Sequence, residues 1–265
     1  MNPDKIIFAS DDNPNYLNFW KLNSYYCKNI LKITPVLFHI TDVNSDFYED
    51  ECGLIKKVKK IENLPSSFQS QIIRMFGTQY FKNEVCIVSD IDLFLIDKSY
   101  VDFENNCDIL ITDSDAYDRN RMEVVSYIPE NLPRYPICYT IGLGYTFQKL
   151  LNLTPDFYEY CNRLYNLNYT DKWSTDEFYF GKAIEENKDN FTIKKKQRGY
   201  MSNFFVTDRI NKCNFWDKSV WRIDLDGQIN FKLFKDIHFP PFTQHSDLIH
   251  RVYKNLIKFK TNESI

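Results

Sequence analysis

Apolar segments without regular polar alternation recur along the chain and predict strands. Four of them are Lys5–Asp11, Thr34–Ile40, Val85–Val88 and Cys107–Asp113, and polar residues end or follow each one. Strands that read this way are typically covered on both faces, as in a mostly parallel sheet. The pattern therefore predicts an α/β fold with a central, mostly parallel sheet flanked by helices.

Helical periodicity fills the spaces between these strands. Asn13 and Pro14 provide a cap and a first helical residue, and an apolar face then continues to about residue 31. Ser66 and Gln69 match a capping box at the start of a second helix. Strand, helix and strand within the first 42 residues are typical of a nucleotide-binding α/β half, although no Gly-x-Gly-x-x-Gly phosphate loop occurs there. Further helices are predicted over 155–167, from 173 onwards and over 247–260.

Two carboxylates follow the predicted strand Val85–Val88. Asp90 and Asp92 are two residues apart, so on an extended backbone their side chains leave on the same side while Ile91 points away. Such carboxylates repel each other unless a cation lies between them, and oxygen ligands suit a divalent ion. Because ligands collect at the carboxyl ends of strands in open α/β sheets, this pair is the first candidate for an active site.

Composition narrows the classes of function. The chain has 265 residues, of which 43% are hydrophobic and 17% aromatic, as is typical of a globular protein with a sizeable core. Its formal net charge of -3 argues against a nucleic-acid partner. Seven cysteines without a Cys-x-x-Cys pair indicate reduced thiols. With no signal peptide and no apolar run of membrane-spanning length, we expect a cytoplasmic protein without a transmembrane segment.

Arg74 and the segment Trp173–Glu177 carry further candidates. Arg74 lies off the apolar stripe of its helix and close to the metal strand, the predicted strand Val85–Val88 that leads to Asp90 and Asp92. Two interpretations are open: Arg74 contacts a phosphate or sugar, or it is a solvated helix arginine. Ser174 and Glu177 match a capping box, but Asp176 adds a second acid that a cap does not need. Both Asp176 and Glu177 are therefore candidates for acceptor binding or for a general base.

His238 is a candidate third metal ligand. It precedes Phe-Pro-Pro, so it lies on an extended segment or loop and not within a helix. Imidazole suits a transition metal already bound by two oxygens, whereas a lone histidine is also commonly structural.

These blocks together resemble the GT-A class of nucleotide-sugar glycosyltransferases, in particular the small soluble enzymes of bacteria and large DNA viruses. The resemblance rests on Phe68–Arg74 before the metal strand, on Val88–Asp92 as the DxD motif and on the late His238. It covers most of the chain. It implies a single GT-A-like (Rossmann-like) domain over 1–265, with a nucleotide-sugar-binding half over about 1–112 and an acceptor-binding half over about 113–265.

The resemblance also implies a reaction and a set of roles. A hexosyl or pentosyl group would move from a UDP- or GDP-sugar to an acceptor hydroxyl on a glycan or small molecule, with Mn²⁺ or Mg²⁺ as cofactor. The implied metal ligands are Asp90, Asp92 and His238, and the implied donor-binding residues are Ser10, Asp11, Arg74 and Asp90. The implied catalytic or acceptor-binding residues are Asp176 and Glu177. The resemblance assigns no positive partner to the diphosphate, for which Lys235 and Arg251 are the candidates.

Two other classes of protein fit part of the pattern. In a haloacid-dehalogenase-like phosphatase, Asp90 would be the nucleophile of an Asp-x-Asp motif. That class expects Thr or Val where this chain has Phe94, and it places the motif near the start of its core. A non-catalytic protein that binds nucleotide sugars or glycans would use the same residues as the transferase. The sequence does not decide between an inverting and a retaining transfer.

Overall fold

The structure is a computed structural model and describes residues 2–104, 106–117, 133–167, 172–198, 208–210 and 229–263. The strands are β1 (Lys5–Ser10), β2 (Thr34–Thr41), β3 (Tyr48–Glu49), β4 (Leu54–Lys59), β5 (Val85–Val88), β6 (Leu93–Leu95), β7 (Ile109–Ile111), β8 (Thr140–Leu143), β9 (Ile193–Lys195), β10 (Arg209–Ile210) and β11 (Asp236–His238). The α-helices are α1 (Pro14–Leu17), α2 (Phe19–Tyr26), α3 (Ser66–Phe76), α4 (Gly144–Leu150), α5 (Phe157–Tyr165), α6 (Thr175–Asn187) and α7 (Phe242–Glu263).

Within the described residues, eight strands form one sheet in the order β3-β4-β2-β1-β5-β8-β7-β9, and three form a second sheet in the order β10-β11-β6. In the large sheet, β2, β4, β5, β7 and β9 run parallel to β1, whereas β3 and β8 run antiparallel to it. The predicted α/β fold with a mostly parallel central sheet flanked by helices is confirmed.

The central strands are buried on both faces. In β5, Val85 and Ile87 join a core that includes residues of α2 and α7, while Cys86 and Val88 join a second core that includes residues of α3, α5 and α6. A side-chain period of two sends alternate residues to opposite faces, and helices cover both faces here. For this reason the strands appear in the sequence as apolar runs without alternation.

The first predicted helix forms as a series of shorter turns. Asn13 caps α1 as expected, because its side chain accepts a hydrogen bond from the Asn15 N–H at 3.0 Å. α2 follows, and a π-helical turn over Cys27–Leu31 ends the series at Lys32, which is left-handed with φ 58°. The predicted helix therefore has the expected start and end, but it consists of three consecutive segments: α1, α2 and the π-helical turn.

The capping box predicted at Ser66 and Gln69 is wrong. Pro65 is the cap residue of α3, and Ser66 is already its first helical residue. The Gln69 side chain exchanges hydrogen bonds of 2.8 and 3.0 Å with the backbone of Ile61. The Ser66 hydroxyl donates to Asp11 Oδ2 at 2.8 Å, so it ties the start of α3 to the end of β1.

The crevice between the carboxyl ends of β1 and β5 is a topological switch point. From β1 the chain continues to β2 and β4 on one side, and it then crosses to β5 on the other side of β1. Ligands of open α/β sheets bind at such positions. Ser10 ends β1, and Ser89 extends β5 through a 3.1 Å hydrogen bond to the Ile7 carbonyl. Among the described residues, no helix is both long and apolar enough to cross a membrane.

Candidate active site

Asp92 and His238 meet where the two sheets adjoin. β6 pairs antiparallel with β11, and the register places Leu93 opposite His238. The Phe239 N–H also donates to the Asp92 carbonyl at 3.0 Å. These backbone contacts bring His238 Nε2 to 3.4 Å from Asp92 Oδ2, a carboxylate oxygen of a buried residue. His238 lies on a strand, as its Pro-Pro neighbours predicted.

Arg74 joins the segment that follows β5 to helix α6. Its Nη1 donates to Asp90 Oδ1, and its Nη2 donates to Asp176 Oδ2 at 3.0 Å. The Arg74 side chain is 9% exposed, so it is not the solvated helix arginine of the plainer interpretation. Asp90 remains the more open partner, with a side chain 39% exposed, whereas Asp176 is buried.

Asp176 and Glu177 occupy the first turn of α6 but do not form the predicted capping box. Ser174 is the cap residue, yet its side chain makes no capping hydrogen bond, so the capping-box interpretation is wrong. Asp176 Oδ1 instead accepts the Glu177 N–H at 2.9 Å. Burial raises the pKa of Asp176 above its ordinary value, and the charge of Arg74 opposes this effect.

Glu177 lies in a cluster with Tyr117 and Arg134. The Tyr117 hydroxyl lies 2.9 and 3.0 Å from the two Glu177 carboxylate oxygens, and Arg134 Nε donates to Glu177 Oε2 at 2.8 Å. The Arg134 guanidinium also stacks on the Tyr117 ring, with its Cζ 3.9 Å from the ring centre. Burial raises the pKa of Glu177 to about 7, against the lowering effect of Arg134.

Ser10 and Asp11 lie at the carboxyl end of β1, on the other side of the crevice. The Ser10 hydroxyl donates to the Asp11 carbonyl at 2.8 Å, and Asp11 Oδ1 accepts the Asn13 N–H at 3.1 Å. Burial, followed by the negative charges of Asp92 and Asp11, raises the pKa of the Tyr16 hydroxyl. Tyr16 therefore lies in the field of carboxylates from both sides of the crevice.

The residues present fit a divalent ion in part. Asp92 and His238 are close enough to bind one ion, and Mg²⁺ in particular is commonly held by one or two carboxylates together with substrate phosphates. Asp90 Oδ1 is engaged by Arg74, while its Oδ2 accepts no hydrogen bond from the described residues. Within those residues, no group of three or more His, Cys, Asp or Glu side chains is gathered around one point.

Lys235 is poorly placed for the diphosphate role that the sequence suggested. Its ammonium pairs with Asp97, at the far end of β6 from Asp92. Arg251 lies on the exposed face of α7. Among the described basic residues, Arg74 is the one that contacts the Asp90 side of the crevice directly.

A buried ionic cluster holds β11 in place behind His238. Asp236, two residues earlier on the same strand, accepts hydrogen bonds from Arg198 Nη2 at 2.7 Å and from Arg209 Nη2 at 2.6 Å. Both arginines also donate to Asp113, which follows β7 in a left-handed conformation with φ 54°. The cluster ties the small sheet to the large one, so the position of His238 depends on it.

Comparison with known proteins gives a distant similarity. No protein-family model and no curated protein matches the sequence. Among solved structures, the chain is similar to the galactosyltransferase LgtC in complex with donor and acceptor sugar analogs, at 10% identity over 97% of this chain and 95% of that chain, with a TM-score of 0.49. It is also similar to an active-site mutant of LgtC, at 9% identity over 89% and 86% of the two chains, with a TM-score of 0.46. Similarity at this level assigns neither an activity nor a residue role to this chain.

A separate cavity lies between α2 and α7, with a volume of about 700 Å³. Its lining includes Lys21, Tyr25 and Tyr253, and none of the predicted site residues lines it. The candidate site is therefore defined by the convergence of polar side chains at the sheet edge and not by this cavity.

Proposed function

We propose that the protein is a metal-dependent glycosyltransferase that moves a sugar from a nucleotide-diphosphate sugar to an acceptor hydroxyl on a glycan or small molecule. The observation that carries the proposal is the Asp90–Asp92 pair at the carboxyl end of β5, at the switch point, with His238 beside one acid and Arg74 beside the other. The proposed unit is a single GT-A-like domain, with the donor half over about 1–112 and the acceptor half over about 113–265.

Asp92 and His238, with the open oxygen of Asp90, would hold Mn²⁺ or Mg²⁺. When bound, such an ion supplies positive charge that offsets the charge developing on the diphosphate as it leaves. Asp92 is buried, and its Oδ2 already lies 3.4 Å from Nε2 of His238, the second proposed ligand. A chain with a formal net charge of -3 gains from a local positive centre when its ligand is a polyanion.

On the donor side, Ser10 and Asp11 would contact the nucleoside, and Arg74 would orient the transferred sugar or a phosphate. Asp11 is held by Ser66 and by the Asn13 N–H, so its carboxylate has a defined direction. Arg74 is fixed between two acids, so its guanidinium has a defined position beside Asp90.

On the acceptor side, Asp176 and Glu177 are the candidate catalytic residues. In an inverting transfer, one of these carboxylates would take the proton of the acceptor hydroxyl. The acceptor oxygen would form a bond to the sugar C1, and the C1–O bond to the diphosphate would break with its electron pair leaving on the diphosphate. Such a base contributes typically ~10²–10⁴-fold in rate. In a retaining transfer, the same carboxylates would bind the acceptor or the sugar.

A phosphatase that uses Asp90 as its nucleophile is the less favoured reading. That class expects Thr or Val at the position of Phe94, and here the Phe94 ring is buried in the apolar core. A non-catalytic nucleotide-sugar or glycan-binding protein would share the binding residues, so turnover separates it from a transferase.

The test is a thermal-unfolding measurement with UDP, GDP or CMP, each with and without Mn²⁺. We expect one nucleoside diphosphate to raise Tm only with Mn²⁺, and we expect EDTA or Asp92→Ala to remove the effect. Asp97→Ala is the matched control, since Asp97 lies at the far end of β6 and pairs with Lys235. Absence of any nucleotide response, together with phosphatase turnover that Asp90→Asn abolishes, would overturn the proposal.

Transfer itself is then followed by release of the nucleoside diphosphate from the matching nucleotide sugar, with and without added oligosaccharides. Metal-dependent nucleotide binding without any release, in the presence or absence of acceptors, would favour the non-catalytic binding protein.

A further inference from the structure

Glu177 has an environment that a helix-capping role does not explain. A capping glutamate turns back to the backbone N–H of its cap residue, and it is usually solvated. The Glu177 carboxylate instead points to Tyr117 and Arg134, and its side chain is only 19% exposed. Both partners come from segments outside α6, so the contact is a tertiary one.

The two partners are themselves fixed by each other. Arg134 Nη2 donates to the Tyr117 hydroxyl oxygen at 3.1 Å, and the guanidinium lies over the Tyr117 ring. Arg134 also reaches Glu177 Oε2 with both Nε, at 2.8 Å, and Nη2, at 2.6 Å. An arginine that is stacked on an aromatic ring and donates two N–H groups loses little further freedom when it holds a carboxylate.

We propose that Arg134 and Tyr117 are positioning residues that hold the Glu177 carboxylate at the acceptor side of the site, where it serves as the proton acceptor. This inference rests on the proposed function. It selects Glu177 over its neighbour Asp176 because the Glu177 side chain is 19% exposed, whereas the Asp176 side chain is 3% exposed and pairs with Arg74. Asp176 then orients Arg74, and Glu177 keeps the partly open surface that a substrate hydroxyl needs.

The charges around Glu177 set how it titrates. Within the part of the chain that the structure describes, Arg134, Tyr117 and Asp176 change the pKa of Glu177 directly. Arg74 acts on Asp176, and the charge of Glu177 in turn raises the pKa of Cys138. Burial is the largest effect and raises the pKa of Glu177, Asp176 raises it further, and Arg134 and Tyr117 lower it. The result, a pKa of about 7, is close to the value at which a general base works best near neutral pH.

The pair acts on Glu177 in a direction that can be measured. Loss of a neighbouring opposite charge, or of a hydrogen bond to the ionised form, disfavours that form and raises the pKa of a carboxyl. Arg134→Gln should therefore move the titration midpoint of Glu177 upward by at least about one pH unit, and Tyr117→Phe by a smaller amount. Arg134→Lys keeps the positive charge, so the titration midpoint of Glu177 should stay closer to the wild-type value than in Arg134→Gln.

The titration is followed by ¹³C NMR of protein labelled at the glutamate side-chain carboxyls, with the Glu177 signal assigned by its loss in Glu177→Gln. This readout does not need turnover, so it tests the pair even if the proposed transfer is wrong. Tyr135→Phe is the matched control. Tyr135 donates to Glu185 at 2.8 Å later on the same helix, so its loss should leave the Glu177 midpoint unchanged.

Transfer assays then test the role of Glu177 itself. The acidic limb of the pH profile of kcat/KM should move upward with the NMR midpoint in Arg134→Gln and Tyr117→Phe, with Arg134→Lys between them and the wild type. If the NMR midpoint stays in place in Arg134→Gln, the positioning role is overturned. If the midpoint moves and the acidic limb does not, Glu177 is not the proton acceptor. If the wild type shows no transfer with any donor while the midpoint moves, the proposed function fails and the pair still acts on Glu177.

Discussion

Asp92 Oδ2 lies 3.4 Å from His238 Nε2, although the two residues come from distant parts of the chain. The contact follows from the pairing of β6 with β11, which places Leu93 opposite His238. A carboxylate and an imidazole at this separation are complementary either as an ion pair or as two ligands of one metal ion.

The metal interpretation predicts that both side chains are needed for ion binding. Mn²⁺ affinity in the presence of the matching nucleoside diphosphate should fall below detection in Asp92→Ala and by at least about tenfold in His238→Ala, as measured by isothermal titration calorimetry. His250→Ala is the control, because His250 lies exposed on α7 and bonds only to the Ser246 carbonyl among the described groups. Unchanged Mn²⁺ affinity in His238→Ala would show that the Asp92–His238 contact is an ion pair only.

Arg74 bridges Asp90 and Asp176, and its removal leaves Asp176 buried without its cation. Breaking a buried pair in this way typically costs about 3–5 kcal/mol, because an uncompensated charge remains. Arg74→Met should therefore lower the free energy of unfolding in urea by about that amount. The double variant Arg74→Met/Asp176→Asn should recover part of the loss. If the losses of the two single variants simply add, Arg74 and Asp176 are not coupled.

The location of the candidate site was predicted from local features of the sequence. Asp90 and Asp92 lie directly after an apolar run. The extended backbone expected between them is wrong, because the Leu93 N–H donates to the Asp90 carbonyl at 3.2 Å and closes a turn, so a side-chain period of two does not apply there. The strand order that makes this edge a switch point depends on long-range pairing of β1 with β2 and β5, which apolar runs do not encode. The sequence therefore predicts the fold class, which is confirmed, and a candidate strand for the site, but not the sheet order.

The side chains that contact Glu177 could not be predicted from the sequence, for a physical reason. Tyr117 and Arg134 are single polar residues in irregular segments, and no period or motif marks them. They reach Glu177 only after α6 packs against those segments. The two capping-box predictions failed because Ser-x-x-Gln and Ser-x-x-Glu describe only residue types at a helix start. In the structure, Ser66, Gln69 and Glu177 bond to groups outside their own helices instead.

The buried cluster behind His238 predicts a stability effect of its own. Asp236 accepts hydrogen bonds from Arg198 and Arg209, and neither Asp236 nor Arg198 has any exposed side-chain surface. Asp236→Ala should lower the free energy of unfolding by about 3–5 kcal/mol, measured by urea denaturation. Glu104→Gln is the contrast, because its pair with Lys194 lies at the surface, and the urea midpoint should not change. A midpoint in Asp236→Ala equal to the wild type would show that the cluster does not secure β11.

The raised pKa of Glu177 predicts how stability depends on pH. Its pKa is about 7 in the folded chain and 4.5 when unperturbed, so between these values the folded state holds a proton that the unfolded state has lost. The free energy of unfolding contributed by Glu177 therefore falls as pH rises through this window. Glutamine does not titrate, so the stability of the wild type relative to Glu177→Gln should decrease from about pH 4.5 to about pH 7 and stay level above it.

Glu185, on the same helix, gives a control of opposite sign. Burial alone would raise its pKa, but hydrogen bonds and charge from Tyr135 and Lys195 lower it below the ordinary value. A carboxyl of this kind stabilises the fold above its unfolded pKa and loses that contribution as pH falls. Relative to Glu185→Gln, the wild type should therefore weaken only at acid pH, and should show no slope between about pH 5 and pH 7. Urea denaturation of the three proteins across pH 4 to 8 measures both slopes. A flat difference between the wild type and Glu177→Gln across the window would mean that Glu177 titrates near its ordinary value and that burial does not raise its pKa.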